Sequence, residues 1–328
     1  MTRRPAVSVV IPTRARGPLV SRAVRSAFAQ TVHDIEVVVV VDGPDDGATR
    51  EALADQADPR LRIVELESRR GAPGARNAGV QQAKAEWVAL LDDDDEWHRD
   101  KLATQLSLAR AATYASPIVS SRLTVRTPRA EFVLPRRVPE PGEPVSEYLT
   151  VRRGLFHGEG FVQTSTLMAP TALLLKVPFT EGLRRLQELD WTLRALDVDG
   201  TGLVMAEEPL VIWYADENRP RISFDAPWRE QLDWLRCSRR LFTPRAYAAI
   251  TMSVISSMAA PSHSPRAFGT LLREATRHGR PGALDYLTFA QIWLVPEKLR
   301  RKVRDRVLGR RAARQPARAS AGHDGGHA

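Results

Sequence analysis

The run Ile35 to Val41, "IEVVVVV", constrains the fold of this chain more than any other stretch. A continuous β-branched segment of this kind suits a strand buried on both faces, the setting of a parallel sheet. Val7 to Ile11, Leu61 to Leu66 and Trp87 to Leu91 read as further strands, with helical patterns over Leu19 to Gln30, Ala48 to Gln56 and Gly74 to Ala83 between them. Gly43, Pro44 and Gly47 supply the turn after the second strand. This alternation predicts an α/β protein with a mostly parallel sheet flanked by helices. The first strand is followed by "PTRARG" and not by G-x-G-x-x-G, which argues against a dehydrogenase.

The fourth strand ends abruptly in Asp92, Asp93, Asp94 and Asp95. Open α/β sheets place their ligands beyond the carboxyl ends of the strands, so these carboxylates stand where a ligand would. Four adjacent carboxylates repel one another in a partly buried site unless a cation neutralises them. Mg²⁺ or Mn²⁺ fits, because hard cations take oxygen ligands and accept one or two carboxylates alongside substrate phosphates. The competing reading is an acidic cap on the helix expected from Asp100.

At 328 residues the chain can bury a large core. Its single cysteine, Cys237, excludes an internal disulfide and suits a reducing compartment, and the cytoplasm is the expected location. Val7 to Ile11 is broken at once by Pro12, Arg14 and Arg16, too short for a signal-peptide core, and no stretch reaches the length of a spanning helix. The net charge of +9 is concentrated: Glu297 to Arg318 holds ten Lys or Arg against two acidic residues. That distribution disfavours a nucleic-acid-binding body and favours a basic tail that meets an anionic surface. Phe289, Trp293 and Leu294 precede the basic run, the pattern of an interfacial membrane anchor, here a peripheral contact at the inner face of the membrane. A solvated basic helix is the plain alternative.

Beyond Ile118 the pattern loosens, with a clear amphipathic helix at Leu186 to Val198 and strands at Leu203 to Met205 and Leu210 to Tyr214. Beyond Pro227 the chain reads as helical. Soft boundaries fall near 120 and 225, and the end, 312–328, is expected to be disordered.

Four segments, "VSVVIPTRARG", "IEVVVVVDGPDD", "SRRGAPGARNAGVQQAKAEWVALLDDDDEW" and "LRRLQELDWTLRAL", resemble in order and spacing the family 2 glycosyltransferases of the GT-A fold, over roughly Ala6 to Ser223. The resemblance implies transfer of a sugar from a nucleotide-diphospho-sugar, by default a UDP-sugar, to a carbohydrate or lipid-linked acceptor. Residues 1–120 would then bind the donor, 121–224 the acceptor, and 225–311 would form a helical annex. Pro12, Thr13, Arg14 and Asp42 would stand at the nucleoside, Gly71 and Arg76 at the glycine turn beside the phosphates, and Asp92 and Asp93 at ribose or sugar. Asp94, with Asp92, would hold the metal. Asp42 as a mere turn residue and Arg76 as a solvated helix arginine are the plain alternatives.

Direct displacement at an anomeric carbon needs a base for the acceptor hydroxyl. In this family the base usually lies six residues before a helix arginine, and counting back from Arg194 gives Glu188, with Asp190 as the second candidate. The two cannot share a helix face well, since a two-residue step turns a helix by roughly 200 degrees. A surface pairing of Glu188 with Arg184 or Arg185 is the plain alternative. "FVQTSTL" and Phe156, His157 and Glu159 lie where such enzymes approach the acceptor, and Arg219, Arg221 and Ser223 where a loop could close over the diphosphate. The competing functions are a nucleotidyltransferase making nucleotide sugars, to which "PTRARGPLV" is a poor match, and a non-catalytic nucleotide-sugar scaffold.

Overall fold

The computed structural model describes residues 4–14, 16–128, 130–154, 159–215, 227–296, 299–300, 302–303 and 306. β1 (Val7–Thr13), α1 (Gly17–Phe28), β2 (Ile35–Val41), α2 (Ala48–Ala52), β3 (Leu61–Glu65), α3 (Gly71–Gln82) and β4 (Trp87–Leu90) alternate as the sequence predicts. The four strands pair in parallel, in the order β3-β2-β1-β4. Successive residues of β1 and β2 face opposite ways, and both faces are covered. Val9, Ile11, Val37 and Val39 meet Val20 and Val24 of α1, while Val10, Val38 and Val40 meet Ala75 and Ala78 of α3. Fully burying each such valine contributes about 1.5–3 kcal/mol. The close approach of α3 requires Gly79, where a Cβ would stand 2.3 Å from Val10 Cγ1.

The chain continues through β5 (Glu96–Trp97), α4 (Lys101–Ala111), β6 (Ser116–Arg126), β7 (Glu131–Leu134), α5 (Val145–Thr150), β8 (Met168–Pro170), α6 (Thr171–Lys176), α7 (Gln187–Leu196) and β9 (Thr201–Tyr214). β8 joins the same sheet antiparallel to β4 and β6, β9 lies parallel to β6, and β5 and β7 pair antiparallel at its margins. The boundary near residue 120 falls inside β6, and one sheet runs through both halves. The strands expected at Leu203 to Met205 and Leu210 to Tyr214 are one strand. Its register slips opposite Arg122, where exposed Glu207 and Glu208 are left out of the pairing and Pro209 cannot donate.

α8 (Trp228–Cys237), α9 (Pro244–Ile250), α10 (Ser256–Ala259), α11 (Pro265–His278) and α12 (Ala283–Leu294) form the helical annex, with a π-helical turn, Thr251–Ile255, between α9 and α10. Their core, including Leu235, Tyr247, Ile250, Leu271 and Phe289, joins the sheet through Leu193 of α7. Among the described residues no helix is long and apolar enough to cross a membrane. Most of the basic run and all of 312–328 lie outside the described residues, as do Phe156, His157, Arg219, Arg221 and Ser223.

Candidate active site

The acidic run fills the turn between β4 and β5, beyond the carboxyl end of β1. Thr13, the last residue of β1, donates from Oγ1 to Asp93 Oδ2 at 2.7 Å, and Arg16 Nη1 lies 3.2 Å from Asp93 Oδ1 and 3.6 Å from Asp94 Oδ2. Arg22 donates to the Asp94 carbonyl at 2.6 Å. Asp92 Oδ1 accepts from Arg76 Nη2 at 2.7 Å. Pro12 is buried within β1, and Arg14 is exposed just after it.

Burial pushes the Asp93 carboxyl up to about 6, with Asp94 and Asp92 adding to the rise against the pull of Thr13 and Arg16. Asp95 is driven well above the ordinary carboxylate range, by burial first and then by Asp94 and Asp92. It accepts from Gln163 Nε2 at 2.7 Å and from the Ser165 hydroxyl, and its Oδ1 is buried without a partner. The run is not a helix cap: α4 begins at Lys101 after Asp100, and no side chain caps it.

Among the described residues no group of three or more His, Cys, Asp or Glu forms a ready-made metal cage. The donor set nonetheless fits a hard cation: it is all oxygen, Asp95 Oδ1 is orphaned, and Asp94 is the most open of the run with its side chain 27% exposed. Mg²⁺ held by one or two carboxylates and completed by substrate phosphates needs no larger cage.

Asp42 directly follows β2 and is buried. Its carboxylate accepts from the backbone N–H groups of Arg70 at 2.7 Å and Gly71 at 3.1 Å, so it fixes the loop that opens α3. Gly71 there has φ +74°, conformationally open to glycine. An ionised carboxylate offers about four acceptor sites, which leaves Asp42 capacity for a ligand.

Arg76 is 3% exposed, so it is not a solvated helix arginine. It joins the two halves of the site, donating to Asp92 and, from Nη1, to Gln187 Oε1 at 2.6 Å. Burial pulls its pKa down, but Asp92 and Glu188 outweigh this and raise it. Asn77 beside it exchanges hydrogen bonds with the backbone of Phe179, its Nδ2 donating to the carbonyl at 2.9 Å and its Oδ1 accepting from the N–H at 2.8 Å. The Arg-Asn pair thus holds the segment that leads into α7.

At the start of α7, Leu186 adopts a left-handed conformation, φ 63°, unfavourable for a branched side chain and placed just before Gln187 and Glu188. Glu188 is half-buried and accepts from Thr164 Oγ1 at 2.5 Å. Asp190 is 3% exposed and saturated. Its Oδ2 accepts from Thr180 Oγ1 at 2.7 Å and from Arg194 Nε and Nη2 at 2.9 and 2.7 Å, and its Oδ1 accepts from Trp234 Nε1 at 2.9 Å. The two acids therefore stand in opposite situations, as their positions around the helix predict.

The residues that sequence reading left without a role are Gln163, Thr164 and Ser165. Gln163 Nε2 reaches Asp95 and, at 3.3 Å, Asp92 Oδ2; Ser165 Oγ accepts from the Asp92 N–H at 3.0 Å; Thr164 holds Glu188. The three-residue 3-10 turn Thr164–Thr166 lies between the acidic run and the acid of α7. The sequence signals were the density of small hydroxyls in "QTST" and the place of "FVQTSTL" where the resembling enzymes approach the acceptor.

Residues 8–165, just under half of the chain, match the model of glycosyl transferase family 2, and the chain is a glycosyltransferase with the GT-A fold. It is 26% identical over 255 residues to the amylovoran biosynthesis glycosyltransferase AmsB of Erwinia amylovora, covering 73% of this chain and 82% of that protein. Over 102 residues it is 32% identical to the Escherichia coli UDP-Glc:α-D-GlcNAc-diphosphoundecaprenol β-1,3-glucosyltransferase WfgD, covering 31% of this chain and 40% of WfgD's length. The mannosyltransferase PcManGT of Pyrobaculum calidifontis, solved with GDP-Man and Mn²⁺, shares the fold at 20% identity, with a TM-score of 0.55 over 95% of this chain and 87% of that one.

Proposed function

We propose that this enzyme transfers a sugar from a nucleotide-diphospho-sugar, with UDP-sugar as the donor class, to a carbohydrate acceptor carried on a lipid or a growing polysaccharide, in one inverting step aided by Mg²⁺ or Mn²⁺. The observation that carries this reading is the contrast on α7: Glu188 keeps an open carboxylate beside Thr164, whereas Asp190 is consumed by four donors. Glu188 is the base that takes the acceptor hydroxyl's proton. Asp190 orients the helix through Arg194 and Trp234. Thr13, Asp42 and Gly71 hold the nucleoside end of the donor, and Arg76 and Asp92 its phosphate and sugar end. Asp94, with Asp92, would hold the cation, which when bound stabilises the departing diphosphate. The donor named for WfgD supports UDP, and the diphosphate-linked acceptor named for it supports a lipid-linked substrate.

A peripheral membrane contact belongs to the same reading. Of the expected anchor residues, Phe289 and Trp293 instead pack into the annex core and only Leu294 faces outward; the outward face of α12 carries Ala283, Tyr286, Leu287, Ala290 and Leu294 without a charged residue, and Leu287 and Leu294 are 54% and 80% exposed. An uncovered apolar face followed by a cationic run suits an anionic bilayer better than a second, equally cationic copy. The test is a screen of nucleotide sugars for thermal stabilisation with and without Mn²⁺, followed by an assay for released nucleoside diphosphate. Equal stabilisation by UDP-sugars with and without the cation contradicts the metal-assisted reading.

A further inference from the structure

A second concentration of charge stands apart from the acidic run, on the other side of the 159–163 segment. β6 and β7 pair with Leu123 opposite Leu134, which brings Arg122 and the Arg136–Arg137 pair to the same end of the hairpin. α5 closes over them: the Arg137 guanidinium lies 5.0 Å from the Tyr148 ring, and the Tyr148 hydroxyl donates to the Arg137 carbonyl at 3.1 Å. Arg152 leaves the end of α5, and Arg300, just past α12, donates to the Val295 carbonyl at 3.0 Å. Burial, then the charges of Arg300 and Arg136, push Arg152 down to about 10 despite Glu159 and Asp285.

The carboxylates here already have partners. Glu143 binds Arg137 at 2.6 Å, Glu159 lies 3.5 Å from Arg136, Glu140 pairs with Arg153, and Asp285 pairs with Arg245. The Nε atoms of Arg122 and Arg152 are shut off from solvent with no hydrogen-bond partner, and neither guanidinium enters an ion pair among the described residues. Glu159 and Asp285 act on Arg152 without forming an ion pair with it and are engaged by Arg136 and Arg245, so a buried Nε–H that no acceptor meets is a donor that a bound anion would satisfy. The planar N–H fork of arginine matches phosphoryl oxygens in pairs.

We infer that Arg122, Arg136, Arg152 and Arg300 form a binding site for the phosphate or diphosphate group of the acceptor. Its placement suits that role. Gly160 is pressed against α5, where a Cβ would stand 1.6 Å from the Tyr148 carbonyl oxygen, and Gln163, which touches Asp92 and Asp95, is three residues further on. Three residues span at most about 10 Å, so this short segment ties the element that carries Tyr148 to the acidic run along the chain. Arg300 follows the helix whose apolar face is assigned to the bilayer, which would set the site near a lipid-linked phosphate. The inference rests on the glycosyltransferase reading with a phosphate-bearing acceptor, and donor binding gives an independent readout.

The full-length protein is titrated with inorganic pyrophosphate by calorimetry in EDTA, which removes any cation from the acidic run, and is sedimented with neutral phosphatidylcholine vesicles with or without farnesyl diphosphate. Pyrophosphate binds the unaltered protein, and Arg152→Gln and Arg122→Gln each weaken it by about tenfold, the loss expected for one charge-assisted contact. UDP binding with Mn²⁺ and the melting temperature stay unchanged in both variants. Retention on farnesyl diphosphate vesicles beyond that of pyrophosphate marks a lipid-borne group, and equal affinity marks a free phosphate. Failure of pyrophosphate to bind without metal, or equal binding by the unaltered protein and both variants, overturns the inference and means that the chain's own carboxylates balance these arginines. Loss of UDP binding in the unaltered protein would instead overturn the donor assignment.

Discussion

Exchanging one oxygen for nitrogen at Glu188 and at Asp190 separates the proposed general base from the buried carboxylate that holds the helix. In Asp190→Asn the amide nitrogen cannot accept, so wherever it points it faces a donor: Trp234 Nε1 on one side, or Thr180 and Arg194 on the other. Removing the charge from a buried pair costs about 3–5 kcal/mol. The Arg194 side chain is 25% exposed and recovers some hydration, which reduces the cost to about 2–3 kcal/mol. In a chain of this size that lowers the melting temperature by roughly 4–10 °C. Glu188→Gln differs, because Thr164 Oγ1 can still donate to the amide oxygen, and the side chain is half-buried. Its stability changes by less than about 1 kcal/mol, while turnover falls by about a hundredfold to ten-thousandfold, the loss expected for a general base. Thermal melts without ligand and release of nucleoside diphosphate measure the two effects. An Asp190→Asn protein that melts normally yet is inactive, beside an active Glu188→Gln protein, would refute the assignment.

Asp94→Ala keeps the fold but loses Mn²⁺-dependent binding of the nucleoside diphosphate, read by calorimetry; retained metal-dependent binding would move the cation elsewhere. The product linkage is inverted relative to the donor, and retention in the anomeric proton coupling of the first-formed product would exclude the single-displacement step. Lys101 is buried against Trp97 and, among the described residues, donates only to Gln105 Oε1; burial holds its pKa well below 10.5, so the unfolded chain binds more protons in the interval up to that value and stability rises with pH there. Lys101→Met flattens this rise in melts between pH 7 and 10, and an unchanged slope would contradict it. Paired Leu287→Glu and Leu294→Glu substitutions release the protein from anionic vesicles without changing its melting temperature; undiminished sedimentation would remove α12 from the membrane contact.

The parallel half of the sheet was legible because its strands are buried on both faces, and burial of that kind leaves unbroken β-branched runs such as Ile35 to Val41. β6 was not, since its eleven residues mix Ser, Arg and Thr with valines and its neighbours are distant in sequence. The acidic run stood out as four carboxylates closing an apolar strand, whereas Glu188 was singled out only by the resemblance to the glycosyltransferase family. Their holders did not stand out: Arg16, Gln163 and Thr164 are ordinary polar residues whose value comes from a partner 24 to 77 positions away. The arginine cluster was equally hidden, assembled from a hairpin end, a helix end and a segment near residue 300.

The turn Thr164–Thr166 has a consequence for how such an enzyme can change. Its flanking Gln163 and its Ser165 grip the acidic run, its Thr164 grips Glu188, and Thr166 is tied to Ser120 of β6 and to Gln105 of α4. Four consecutive residues thus fix the distance between the acidic run and Glu188, which under the proposed roles is the distance between leaving group and incoming hydroxyl. A substitution that shifts this distance alters both ends of the reaction together, so donor handling and acceptor activation cannot drift apart through it. On that reading, a change of acceptor that left the turn intact would keep the spacing of the chemistry constant.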